Sequence, residues 1–214
     1  MTAFSLSCLS TDIYAEMLEI RLTDQSGDPV SNSVVSAYLR PQTDHAPIKS
    51  GKTVIIDQID KEFINHVTPV QVGTTISFPN HDQIRHHVYS FSSAKNFEIP
   101  LYKGIPAEPI TFDQPGVVVL GCNIHDQMSA YIVVVDSPYF AKTDARGHAS
   151  LSLPTGDYEL RFWHRDADED SKNSKLAIKV AAGQTVKINH QLSIKSSWAS
   201  KPIPFSLRNR GRYR

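Results

Sequence analysis

Apolar and polar residues alternate along most of this chain, in short runs closed by turn residues. Residues 18–24 ("LEIRLTD") put Leu18, Ile20 and Leu22 on one side and Glu19, Arg21 and Thr23 on the other, the mark of a half-buried strand. "QSGDP" then signals a turn, and residues 33–41 a second strand. Residues 42–52 are polar and contain proline, as a linker does. From Thr53 onwards "TVIIDQIDKEF", "VTPVQVGTTISFPN", "HHVYSFS", "ITFDQPGVVVLGC" and "SAYIVVVDS" are rich in Val, Ile, Thr and aromatics and are bounded by Gly, Pro, Asn or Asp. A further set follows Asp136: "FAKTDARGHASLSLP", "GDYELRFWH", "KLAIKVAAG" and "QTVKINHQL". No segment between Ile20 and His190 sustains a helical period. The pattern predicts an all-β protein of antiparallel sandwich or barrel type. Residues 97–108 are proline-rich enough to read as a loop. Residues 165–174 read as an acidic, solvated loop. The tail from Lys195 to Arg214, basic and without an acid, reads as disordered.

Composition narrows the function classes. With 214 residues, 40% of them hydrophobic, the chain can fill one large or two small cores. Its 22 basic and 22 acidic residues cancel, which gives no general reason to expect nucleic acid or an acidic substrate as partner. No run reaches the ~18–20 apolar residues of a membrane-spanning helix. Residues 1–15 read equally as the end of an export segment, incomplete because no Lys or Arg precedes "AFSLSCLS", or as a short leader. The two cysteines, Cys8 and Cys122, read as free of a disulfide.

Cys122 carries the chemistry. In "GCNIHDQM", Cys122, His125 and Met128 follow the spacing C-x-x-H-x-x-M. Thiolate, imidazole and thioether are ligands that copper favours, and two histidines with a cysteine and a weak axial methionine make a blue-copper site. Zinc is the rival metal for a Cys-His-His set but rarely recruits methionine. The second histidine should come from an upstream strand. "FPNHDQIRHHVYSF" supplies His86, with His87 as the alternative, because neighbouring residues on a strand face opposite sides and only one can coordinate. Singly, each of these residues is commoner as a core or surface residue; their joint spacing points to the metal. His45, His66, His81, His148, His164 and His190 lack ligand spacing, and Asp126 is a candidate to tune His125. Tyr158, Phe162 and Trp163 read as core aromatics.

The two segments "VGTTISFPNHDQIRHHVYSF" and "QPGVVVLGCNIHDQM" resemble the ligand loops of the cupredoxin (blue-copper) family, with spacings nearest those of amicyanin and plastocyanin. The resemblance covers about residues 54–136. The offset from Asn80 favours His86 over His87. Two positions depart from the family pattern: His87 stands where an Asn usually ties the ligand loops together, and Arg85 stands in place of a Pro. The resemblance implies a Greek-key cupredoxin sandwich over residues 48–136 with one copper ion held by His86, Cys122, His125 and Met128. It also implies one-electron transfer without catalysis, an exported or periplasmic location, and a redox protein partner, a cytochrome or oxidoreductase, docking near His125. Copper storage, delivery or sensing with the same ligands is the alternative; an adhesive sandwich with a degenerate copper loop is a third reading.

The flanks "IRLTDQSGDPVSNSVVSAYL" and "AKTDARGHASLSLPTGDYELRFWH" resemble carboxypeptidase regulatory-like, transthyretin-like sandwiches. That implies a second, smaller sandwich split between residues 16–47 and 137–194, with a leader at 1–15 and a tail at 195–214. Extra strands of one larger sandwich would also account for the flanks.

Overall fold

The computed structural model describes residues 15–41, 50–106 and 108–195. The leader, Cys8, most of the linker with His45, and nearly all of the basic tail lie outside the described residues. The strands fall into three stretches. The first holds β1 (Ala15–Thr23) and β2 (Val34–Arg40). The second holds β3 (Thr53–Ile55), β4 (Gln58–Ile59), β5 (Glu62–Phe63), β6 (Val67–Gln71), β7 (Thr74–Ser77), β8 (His86–Ser92), β9 (Lys95–Tyr102), β10 (Ile110–Phe112), β11 (Gly116–Gly121) and β12 (Ser129–Val135). The third holds β13 (Tyr139–Lys142), β14 (His148–Pro154), β15 (Gly156–Trp163), the helical turn α1 (Glu169–Lys172), β16 (Lys175–Val180) and β17 (Val186–Gln191).

The middle stretch forms two larger sheets, ordered β10-β7-β3 and β6-β12-β11-β8-β9, and a two-stranded one, β4-β5, while the outer stretches form two more, β14-β1-β17 and β13-β2-β15-β16. Thus β1 and β2 pair with strands more than a hundred residues later. β1 lies between antiparallel β14 and parallel β17, so Leu18, Ile20 and Leu22 share a core with Leu151, Leu153, Tyr158, Leu160 and Phe162. Two similar turns fix this pairing. Asp24 Oδ1 accepts from the N–H groups of Ser26 (2.8 Å) and Asp28 (2.9 Å), and Asp144 Oδ1 from those of Arg146 and His148 (both 2.8 Å). Gly147 in the second turn has φ +76°, and a Cβ there would sit 2.3 Å from the Leu22 carbonyl oxygen, so only glycine fits.

The middle sheets enclose a separate core of Ile56, Ile76, Phe78, Val88, Phe112, Val118, Leu120 and Ile132, which also takes in Cys122 and Met128. Between the two sandwiches Val34, Val67, Val133 and Val135 form a small buried seam flanked by Tyr131, Phe140 and Trp163. Polar bonds cross it: Tyr38 Oη donates to Asp136 (2.7 Å) and Lys142 Nζ to the Val67 carbonyl (2.8 Å).

Two local expectations are corrected. Residues 97–102 are strand, not loop: Pro100 is tolerated because β9 is an edge strand and lies at the register shift where His86 pairs with Tyr102 and Val88 with Ile99. The acidic stretch contains α1, because Asp168 caps it by accepting from Ser171 N–H at 2.8 Å. Tyr158 and Phe162 are buried core, whereas Trp163 is half-buried at the seam.

Candidate metal centre

β11 and β12 are antiparallel neighbours, and Gly121 pairs with Ser129. The chain between them therefore leaves and re-enters the sheet at one place, as a tight loop holding Cys122, His125 and Met128. The Met128 N–H closes it by donating to the His125 carbonyl (2.9 Å). β8 lies on the other side of β11, with Tyr89 opposite Gly121. Strand alternation turns His86, Val88 and Ser90 inward and His87, Tyr89 and Phe91 outward. A Cβ at Gly121, the residue before Cys122, would meet the Tyr89 ring at 2.7 Å, so any larger residue there would have to displace that ring.

Three ligand-type atoms converge. Cys122 Sγ lies 3.9 Å from His86 Nδ1 and 3.7 Å from His125 Nδ1, and all three donors lie within 4.8 Å of one another. The two imidazoles meet edge-on, with centroids 4.9 Å apart. His86 and Met128 are buried, Cys122 is a free buried thiol, and His125 is half-buried. The spacing fits a first-row ion: bonds of about 2.3 Å to sulfur and 2.0 Å to nitrogen at about 120° would hold the two atoms about 3.7 Å apart. Met128 adds a buried thioether in the same core. The converging atoms are thus one cysteine sulfur and two imidazole nitrogens, soft-to-borderline donors of the kind that copper and zinc favour.

His86 is oriented from behind. Its Nε2 lies 2.6 Å from Asp82 Oδ2, and a carboxylate only accepts, so Nε2 carries a proton and Nδ1 is the nitrogen that faces Cys122. Asp82 is anchored in turn by the N–H groups of Asp60 (2.7 Å) and Lys61 (2.9 Å), which form the left-handed turn between β4 and β5. Burial alone would raise the Asp82 carboxyl, but the bonds from His86 and these two N–H groups outweigh it and hold it below the usual carboxylate range. Asn80 braces the same loop: its side-chain nitrogen donates to the Ile84 (3.0 Å) and Tyr102 (2.9 Å) carbonyls, and its side-chain oxygen accepts from Asp82 N–H (2.9 Å).

The sequence-predicted residues His86, Cys122 and His125 come together, and Met128 is buried with them. His87 is turned to the other face of the sheet, where its Nε2 meets Glu98 at 2.8 Å. Asp126 is exposed and makes no ion pair among the described residues, so the carboxylate that partners a site histidine is Asp82. The sequence signal for Asp82 is only its offset of four residues before His86. Of the remaining histidines, His81 pairs with Asp57 (2.7 Å), His66 and His164 lie near the seam, His148 is exposed, and His190 stacks on Phe162 at 4.1 Å.

No protein-family model matches the sequence, and no curated protein matches it. Among solved structures, an amicyanin variant in its reduced Cu(I) form at pH 4 is similar over 47% of this chain and 99% of its own, at 21% identity and a TM-score of 0.36. An oxidised amicyanin variant is similar over the same shares, at 20% identity and a TM-score of 0.36. A copper-containing nitrite reductase from Thermus scotoductus SA-01 is similar over 42% of this chain and 25% of its own, at 26% identity and a TM-score of 0.37.

Proposed function

We propose that this protein binds one copper ion through His86, Cys122, His125 and Met128 and carries single electrons. The observation that carries the reading is the convergence of the His86, Cys122 and His125 donor atoms, with the second nitrogen of His86 already committed to Asp82. A copper ion held there supplies reversible exchange of one electron. Cys122 would hold it as a thiolate, His86 and His125 as neutral imidazoles, and Met128 through its thioether. A four-donor set on braced strands holds its shape through a change of oxidation state and reserves no position for a substrate, which favours a carrier over an enzyme.

His125 is the donor nearest solvent. The loops at this end also expose Ile84 (40%), Ile105 (79%) and Ile124 (48%). A redox protein, a cytochrome or oxidoreductase, would meet this apolar rim near His125. The same reading puts the protein in the periplasm or another exported compartment.

Reconstitution with Cu(II) tests the proposal. The expected result is an intense visible thiolate-to-copper band, lost in Cys122→Ser, with reversible one-electron cycling. A band that survives Cys122→Ser overturns the ligand set. Rapid loss of copper to a chelator without cycling would favour delivery.

A further inference from the structure

The second sandwich reaches the ligand loop through a chain of contacts that a separate copper domain would lack. Ser129, the residue after Met128, is where the loop re-enters the sheet. Its carbonyl oxygen lies 3.2 Å from Nδ1 of His66. The other nitrogen of that ring, Nε2, lies 2.8 Å from Nη1 of Arg165, two residues beyond β15 of the second sandwich. A guanidinium only donates, so Nε2 must accept, and the single ring proton is left on Nδ1, aimed at Ser129. The arginine thereby selects the one tautomer that can hold the loop. The chain is braced on every side. The Tyr131 N–H donates to the His66 carbonyl (2.9 Å), and its ring stands edge-on to the imidazole at 5.4 Å. Trp163 packs on Tyr131 at 5.6 Å, and Arg165 lies 5.3 Å over the same ring, its Nε 3.3 Å from Asp166.

From this geometry we infer that Arg165 and His66 are positioning residues for the copper loop: the second sandwich sets where Met128 sits, by fixing Ser129 through the His66 tautomer. This rests on the proposed ligand set. Met128 directly precedes Ser129, so among the proposed ligands it is the one expected to register the loss.

The experiment has a metal-free arm and a copper arm, both on the full chain. In the metal-free protein, amide hydrogen exchange is read at Met128 and Ser129 for Arg165→Leu, Arg165→Lys and Lys142→Met. Lys142→Met removes a different bond across the same seam, the one to the Val67 carbonyl. Arg165→Leu should speed exchange at Met128 about fivefold to tenfold, the effect of one hydrogen bond. Arg165→Lys, which keeps a donor and the charge, should restore part of it, and Lys142→Met should leave it unchanged. In the copper-loaded protein, Arg165→Leu should shift the midpoint potential and the ratio of the charge-transfer bands while copper stays bound. The inference is overturned if Arg165→Leu leaves Met128 exchange unchanged, or if Lys142→Met moves exchange and spectrum equally, because general loosening of the seam would then be the cause. Absence of a thiolate-to-copper band in the unaltered protein would instead sink the ligand set, and the metal-free exchange would still decide whether Arg165 holds the loop.

Discussion

Each sandwich packs a histidine ring against its core, His86 fully buried and His190 half-buried, and the two rings differ in what their nitrogens do. His190 in the second sandwich lies flat on Phe162, with an interplanar angle of 13°, and its Nε2 has Ser174 Oγ at 3.4 Å. There the ring serves as packing surface. His86 in the first sandwich has no such stack. One of its nitrogens is fixed by a carboxylate and the other faces a thiol. The two cores differ in the same way. That of the second sandwich is aliphatic and aromatic throughout, whereas that of the first ends in Cys122 and Met128. Packing against a core therefore does not by itself mark a candidate metal site; what sets His86 apart is one ring nitrogen held by a carboxylate while the other faces a thiol.

The largest effect should separate these two rings. His86→Ala removes a donor from the converging set and should abolish copper binding, while His190→Phe should retain it and change stability by less than about 1.5 kcal/mol, because a ring of similar shape replaces a half-buried one. Isothermal titration with copper and a thermal melt decide it; copper binding by His86→Ala at full affinity would erase the distinction. His87→Ala should also bind copper, since that ring is on the other face.

Asp82→Asn comes next. It keeps an oxygen for the Nε2 proton but gives up the charge that fixes the tautomer, and should weaken copper binding about 10- to 100-fold. A Cu(I) chelator competition measures this, and an unchanged affinity would mean that Asp82 only closes the β4–β5 turn.

How far these features were legible in the sequence depended on whether they were local. The alternation in β1, β8 and β14 marked strands and faces directly, and a loop of seven residues, Cys122 to Met128, carried three donor types at once. The choice between His86 and His87 could be weighted from the Asn80 offset but not decided, because alternation alone does not say which face is inward. The β9 strand is hidden by Pro100, because proline argues against a strand unless the strand lies at an edge, and only the sheet order places β9 there. The Arg165–His66–Ser129 chain spans 99 residues at its longest step and has no sequence signature. Only the packing of the two sandwiches creates it.

Gly147→Ala tests whether the sandwiches depend on each other. A Cβ at this left-handed position collides with the Leu22 carbonyl, which should cost about 2 kcal/mol or more. The damage falls on the β1–β14 pairing, in the second sandwich. Calorimetry should show a lower melting temperature while the copper band at 25 °C is retained. If the band disappears at a temperature where the protein is still folded, the copper loop draws more of its order from the second sandwich than the Arg165 contact supplies.

The smallest effect concerns pH and again sets packed histidines apart from the copper site. Burial lowers the His66, His164 and His190 pKa values, and the charge of Arg165 lowers the first two further. The groups facing His66 are Arg165, which opposes its protonation, and Asp166 and Glu62, which favour it. Because each folded-state pKa lies below the unfolded value of about 6.5, the unfolded chain takes up protons first as pH falls. Stability should therefore be full above about pH 6.5, decline as pH falls through the lowered folded-state values, and level off once both states are protonated. The depressed carboxylates Asp82, Asp144 and Asp168 act in a lower window, beginning near their unfolded pKa of about 3.9, so the two contributions separate along the pH axis. Urea midpoints measured on the metal-free protein between pH 7.5 and 4.5 should show the first decline, and His66→Gln should make it shallower. A midpoint that stays level or rises over that range would mean that these rings are protonated as readily folded as unfolded. The His66 tautomer would then not be held by Arg165 at neutral pH.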